Sequence, residues 1–269
     1  MRTTLSDGTT LILDAGTGIR ALDVRPESGE IHILVTHLHL DHIQGLLFFA
    51  PFFDSEAEIV VWGPPPETPP LRDMLARYLS SPLSPIEIRE LPARVSFRAF
   101  PLEGCSIGSA TVQAARVLHR GVTLGYRIDD GAASVCYLPD HEPALGKPLA
   151  SAEDQWISGL ALARDASLLI HDGQFSDEAY SAHVGWGHSS VSDALLFALR
   201  AEADRVLLFH HDPAHADDRL DALGEWAAEY WDSCGGGPGA VALAQEGRTL
   251  DVPGPSTAIE QERQSPSLA

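Results

Sequence analysis

A chain of 269 residues with 44% hydrophobic residues can bury a sizeable core and need not divide into two domains. Its formal charge of −20 and single lysine, Lys147, argue against a polyanion partner, whose phosphates are gripped by Lys and Arg. No apolar run reaches the length of a membrane span, and three scattered cysteines, Cys105, Cys136 and Cys234, make no disulfide framework.

The start, MRTTLSDGTT, has no basic and apolar leader, so a reducing cytoplasm is the expected location, although a trimmed export signal would read the same way. Strand patterns follow at 10–14, 31–36, 58–63, 85–90, 95–100, 111–118, 122–128, 134–139, 167–172 and 205–210. Helical periodicity fits Asp41 to Phe49, Leu71 to Leu79, Glu153 to Arg164, Ser190 to Ala203 and Asp217 to Tyr230. Strands dominate the first half and alternate with helices in the second, which points to a layered α/β fold with mixed sheets. WGPPPETPP (62–70) reads as a loop and CGGGPG (234–239) as a turn. Residues 252–269 read as a disordered Pro/Ser-containing tail, leaving one domain over 1–251.

Twelve histidines is a high count, and their placement matters more. THLHLDHIQG (36–45) directly follows the apolar run IHILV, and its alternate residues His37 and His39 point to one side of an extended segment. A helix beginning near Asp41 turns Asp41 and His42 toward a neighbouring position. Imidazole with carboxylate suits Zn²⁺, or Mn²⁺ or Fe where oxygen donors are more numerous. His119, Asp140 and His210 each stand at the end of an expected strand, where ligands collect in layered α/β folds. His211, His215 and His141 read as flanking or surface residues, His171 and His183 as structural, and His32 as part of a strand face. The DAGTG glycines read as a tight turn, since no GxGxxG is present.

These motifs resemble the metallo-β-lactamase fold superfamily, with THLHLDHIQGL as its signature and LILDAGTG (11–18) as the preceding strand and turn. LHRGVTLGYRI (118–128), YLPDHEP (137–143), LIHDGQF (169–175), GWGHSS (185–190) and LLFHHDP (207–213) resemble, in order, motifs of its RNase Z and phosphodiesterase branch. The resemblance implies a four-layer αββα sandwich of two mixed sheets. It assigns one cation to His37, His39 and His119, a second to Asp41, His42 and His210, and makes Asp140 the bridge between them. His188 resembles the histidine that approaches the scissile phosphate, and Asp172 the acidic residue that orients it. Asp41, His188 and Asp172 are therefore the candidate catalytic groups.

The implied activity is that of a dinuclear metal-dependent hydrolase in which hydroxide shared by two divalent cations attacks phosphorus. The tRNA-processing members carry a basic arm, and no basic insert stands out in the 20 residues between His119 and Asp140 or the 69 between Asp140 and His210. With the −20 charge, this makes a small diester, a cyclic nucleotide or cyclic sugar phosphate, the expected substrate and tRNA or other nucleic acid an unfavoured one. The alternative on the same site is a β-lactamase or lactonase-type acyl hydrolase, with phosphotriester cleavage as a side activity. A non-catalytic metal sensor, or an oxygenase with one iron, would use the ligands differently.

Two departures from the family pattern stand out. The first strand or two before LILDAGTG are missing, so the sheet would be completed across a homodimer or in a longer chain. Among the phenylalanines after the signature, Phe48 and Phe49 read as core, and Phe52 and Phe53 as a substrate-facing wall.

Overall fold

A computed structural model describes residues 1–24, 29–65, 69–131 and 133–253. One five-stranded sheet contains β1 (Arg2–Thr4), β2 (Thr10–Leu13), β3 (Ile31–Leu34), β4 (Glu58–Gly63) and β5 (Arg94–Ala99), in that order. Only β1 runs antiparallel to its neighbour. A second sheet has seven strands, β6 (Cys105–Ile107), β7 (Ala110–Arg116), β8 (Leu124–Asp130), β9 (Ala133–Leu138), β10 (Leu168–Asp172), β11 (Val206–Phe209) and β12 (Val241–Leu243), ordered from β12 to β6. Its β6–β9 part is antiparallel and its β9–β12 part parallel.

The two-residue period of the strands divides their apolar side chains between layers. Leu11 and Leu13 of β2, with Leu34, pack between the sheets against Val112, Tyr126, Tyr137 and Ile170. Ile12, Ile31 and Ile33 face outward onto Ile43, Leu46 and Phe49, and onto α2 (Leu71–Tyr78) through Leu71 and Leu75. On the far side, Cys136, Leu169 and Leu208 lie under α3 (Leu160–Ala163), α4 (Val191–Arg200) and α5 (Asp217–Ser233). The result is the αββα sandwich expected from the sequence.

Several expected elements differ. PIEIRE alternates like a strand, yet Ile88–Glu90 is a 3-10 turn in which the Glu87 and Glu90 side chains cap each other's backbone. The expected helix over Glu153 to Arg164 breaks at Gly159, whose φ is 71°, leaving a 3-10 turn at Asp154–Trp156 and the short α3. The expected helix from Asp41 to Phe49 becomes α1 (Leu40–Ile43) followed by a 3-10 turn at Gln44–Phe48. Gly45 causes the change of pitch: its N–H donates to the Ala15 carbonyl at 2.8 Å, and a Cβ there would stand 2.0 Å from the Gly16 oxygen.

That pitch also corrects the phenylalanines. A period near three buries Leu46, Phe49 and Phe52 together and leaves Phe48 and Phe53 exposed. Phe48 is therefore not core, and Phe52 is no substrate-facing wall. Phe53 borders an apolar hollow with Leu79 and Ile88, away from the histidines. Ahead of LILDAGTG the described residues form one strand, β1, which pairs Arg2 with Ile12 and Thr4 with Thr10. Nearly all of the expected tail, from residue 254 onward, lies outside the described residues. No helix among the described residues is long and apolar enough to cross a membrane.

Candidate metal centre

β2, β3, β9 and β11 lead into polar residues just past their ends, and β10 closes on one, all at one edge of the sandwich. β7 runs the same way as β9, because both are antiparallel to β8. Asp14 follows β2, His37 and His39 follow β3, and His119 follows β7. Asp140 follows β9, Asp172 closes β10, and His210 follows β11. An apolar strand thus fixes each position while its first loop residues aim the side chain.

His37, His39 and His119 bring one ring nitrogen each within 4.8 Å of the others. His37 Nε2 lies 2.8 Å from His39 Nδ1, and His119 Nε2 lies 3.2 Å from the same atom. The remaining nitrogens of two rings are engaged elsewhere. His37 Nδ1 lies 3.0 Å from Thr36 Oγ1, and His119 Nδ1 donates to the Gly187 carbonyl at 2.8 Å. Both Nε2 atoms therefore point inward with their lone pairs, as metal-ligating histidines do.

Asp41, His42, Asp140 and His210 form a second such group. His42 Nδ1 donates to Asp14 Oδ2 at 2.8 Å, leaving Nε2 3.1 Å from Asp140 Oδ1 and 3.3 Å from Asp41 Oδ2. His210 Nε2 lies 3.4 Å from both Asp41 and Asp140. Its backbone adopts a left-handed φ of 58°, unusual for a histidine and suited to a strand that must turn its side chain sharply inward. His211 faces the other way, toward the Ala244 carbonyl.

Asp140 touches both groups. Its Oδ2 lies 3.8 Å from His37 Nε2, 3.6 Å from His119 Nε2 and 3.4 Å from His210 Nε2. It is buried, and Asp140 Oδ1 and His42 Nε2 complete no hydrogen bond among the described residues despite their proximity. Converging imidazole lone pairs with a buried carboxylate between them fit divalent cations and little else.

Charge divides the two groups. Burial, helped by the charge of His42, pushes His37 down to about 3, and burial likewise lowers His119. Burial also works against a charged His42, but Asp14, Asp140 and Asp41 outweigh it and raise that group to about 12. His210 rises to about 9 in the same way, burial being overcome by Asp41 and Asp140. Asp41 is held well below the usual carboxylate range by the hydrogen bond from His210 and by the adjoining His42 ring. Burial opposes the ionisation of Asp140, yet the neighbouring histidines hold it low as well.

His188 stands beside both groups, its ring 4.9 Å from those of His119 and His210. Its Nδ1 lies 2.7 Å from Asp172 Oδ2. Asp172 is fully buried, and its carboxylate also accepts from the backbone N–H of Gln174, Ser189 and His141. His141 and His171 form a buried pair behind it, Nδ1 to Nε2 at 2.9 Å. His183 packs on Phe175, His32 pairs with Trp62, and His215 joins neither group.

Sequence reasoning missed two carboxylates. Asp14 was read only as the last residue of the strand at 10–14, although it accepts from Thr36 N–H, Thr36 Oγ1, His42 Nδ1 and Tyr137 OH. Glu142, in the quoted PDHEP, is completely buried and accepts from the backbone N–H of Gly185 and Gly187 and from Tyr180 OH. The only hint was a second acidic residue two positions after Asp140.

A sandwich with this ligand edge defines a metal-dependent hydrolase. The family model described as "Beta-lactamase superfamily domain" matches residues 9–211, and the chain belongs to the metallo-β-lactamase superfamily, in its RNase Z-like branch. A Ribonuclease Z from Haloferax volcanii is 27% identical over 92% of this chain and 87% of its own length. Two solved structures share the fold. Human tRNase Z, short form, has a TM-score of 0.64 at 20% identity, covering 94% of this chain and 91% of that one. A diphosphatase from the PhnP family has a TM-score of 0.63 at 19% identity, covering 92% of this chain and 82% of that one.

The relatives named Ribonuclease Z overturn the expectation that tRNA or other nucleic acid is an unfavoured partner. That expectation rested on the charge of the whole chain and on the lack of a basic insert. Substrate meets the local field of a cleft, which cations and neighbouring arginines set almost independently of acids on distant faces.

Proposed function

We propose that the chain is a phosphodiesterase with a dinuclear site, and that RNA is the form of phosphodiester supported by its Ribonuclease Z relatives. The position of Asp140 between the two histidine groups, with the His188–Asp172 pair alongside, carries the reading. His37, His39 and His119 would hold one cation, Asp41, His42 and His210 the other, and Asp140 both; the all-histidine first group favours zinc. When bound, the cations would supply Lewis-acid chemistry, acidifying water and neutralising phosphoryl oxygens.

The chain's own residues do the rest. Asp14 fixes the His42 ring, and Thr36 and Gly187 fix those of His37 and His119. Asp172 accepts a hydrogen bond from His188 Nδ1–H and so orients the ring, which when protonated on both nitrogens gives its Nε2 proton to the departing oxygen. Burial of Asp172 keeps that pairing in one geometry.

The test is turnover of bis(p-nitrophenyl) phosphate beside nitrocefin on a metal-quantified preparation, with His188→Ala for comparison. Diester cleavage that needs about two metals per chain and falls about a hundredfold in the variant is expected. Nitrocefin cleavage with no diester turnover would replace this reading with acyl hydrolysis. A 3′-extended RNA and a cyclic nucleotide, compared on the same preparation, decide the finer choice of diester.

A further inference from the structure

Beside the metal groups lies an aromatic side chain that the chemistry above leaves unused. Trp186 is 52% exposed, next to Gly187, whose carbonyl accepts from His119, and two residues before His188. A single exposed tryptophan is ordinary on a protein surface. The way this one is held is not. Its two flanking glycines, Gly185 and Gly187, both have left-handed φ, 82° and 91°, and both donate their N–H to the buried carboxylate of Glu142 at 2.8 Å. The Trp186 N–H donates to the His183 carbonyl, and the His183 ring, itself stacked on Phe175, meets the indole edge-on at 4.7 Å. Arg120, the residue after His119, places its guanidinium 5.9 Å from the indole centroid.

A buried carboxylate thus grips the peptide on either side of an indole that stays open to solvent at the rim of the site. Rigid aromatic area costs little side-chain entropy when a planar ligand stacks on it, and nucleobases stack on such platforms irrespective of sequence. An adjacent guanidinium supplies the charge that a neighbouring phosphate needs.

We propose that Trp186 and Arg120 form a nucleotide platform: the indole stacks on the base next to the scissile phosphate, and Arg120 meets a phosphate oxygen of the same nucleotide. The platform rests on the phosphodiesterase reading only for its choice of ligand. It makes Trp186 a specificity residue that separates nucleotidyl diesters from sugar phosphates.

The experiment is calorimetric titration of the metal-loaded full chain with AMP and with ribose 5-phosphate, which differ by the base alone. AMP should bind about tenfold more tightly. Trp186→Ala should remove that advantage and leave ribose 5-phosphate within about twofold, while Trp186→Phe retains most of it. Arg120→Ala should weaken both ligands to the same degree. Equal affinities in the unmodified protein, or an AMP advantage that survives Trp186→Ala, would overturn the proposal. Turnover of bis(p-nitrophenyl) phosphate, measured on the same preparation, keeps the two ideas apart. An AMP advantage without turnover retains the platform and sinks the phosphodiesterase reading, and turnover without the advantage does the reverse.

Discussion

Asp14 and His42 meet across 28 residues of chain, Oδ2 to Nδ1 at 2.8 Å, so the turn after β2 fixes a ring on α1. Asp14 does this from a left-handed φ of 56°, with its other bonds going to Thr36 and Tyr137. Removing the carboxylate leaves His42 free to turn and changes which nitrogen carries the proton. Asp14→Ala should therefore weaken binding at the Asp41–His42–His210 group about 10–100-fold and spare the three-histidine group. Competitive titration with a chromogenic zinc chelator resolves the two steps. Equal weakening of both would mean Asp14 supports the whole edge rather than one ring.

Glu142 works at longer range, holding the loop that carries Trp186 and His188 through the Gly185 and Gly187 N–H groups. Glu142→Ala would take the acceptor from these donors and from the Tyr180 hydroxyl, orphaning the Gly187 N–H in a buried place. A loss of about 3 kcal/mol in urea unfolding is expected, since single bonds to charged acceptors contribute roughly 1.5–3 kcal/mol. Diester turnover should fall by more than the folded fraction does, because His188 loses its position. Unchanged turnover per folded molecule would limit Glu142 to a structural role.

Most histidines and carboxylates of this edge were legible because they stand just past an apolar strand, as His119 follows TVQAARVL and Asp140 follows SVCYLP, or share the short run from His37 to His42. Asp14 and Glu142 were not, because their partners are one ring and a set of backbone N–H groups far along the chain, which leave no periodic mark. Alternation misled at PIEIRE, where reciprocal capping by Glu87 and Glu90 outweighs strand pairing. Helical periodicity misled at Phe48, where close approach of Gly45 to Gly16 forces the tighter 3-10 pitch. Net charge misled about nucleic acid, since −20 is a sum over the chain and Arg120 stands at the cleft.

Proton release should separate the two metal groups. Without metal, His42 is raised to about 12 and His210 to about 9, burial of each being outweighed by carboxylates, whereas burial pushes His37 down to about 3. A cation at the second group must therefore displace protons at pH 7, and one at His37 need not. Raised folded values stabilise the metal-free fold fully below the ordinary histidine value, and His210's share is lost as pH rises through about 9. Affinity at the second group should accordingly climb between pH 6 and 9. Calorimetry in buffers of different ionisation enthalpy should find between one and two protons released for that cation and fewer for the other. Equal release would show that both groups begin in the same protonation state.

Gly187 gives the sharpest structural test. Its φ is 91°, and a Cβ there would lie 2.4 Å from His119 Nδ1 and 3.0 Å from the His119 Cα. Gly187→Ala must therefore either push His119 off the Gly187 carbonyl or bend the loop that carries His188. Left-handed backbone at a residue with a side chain costs about 1 kcal/mol or more, so unfolding stability should fall by a modest amount. The larger effect belongs to the site: binding at the three-histidine group should weaken at least about tenfold, through the lost orientation of His119. Gly121→Ala serves as the control, since it carries a similar φ of 85° two residues from His119 but its Cβ would meet nothing within 4 Å. It should lose similar stability and keep its metal affinity. If both variants lose metal equally, backbone strain near His119 is responsible, and the contact between Gly187 and the imidazole is not.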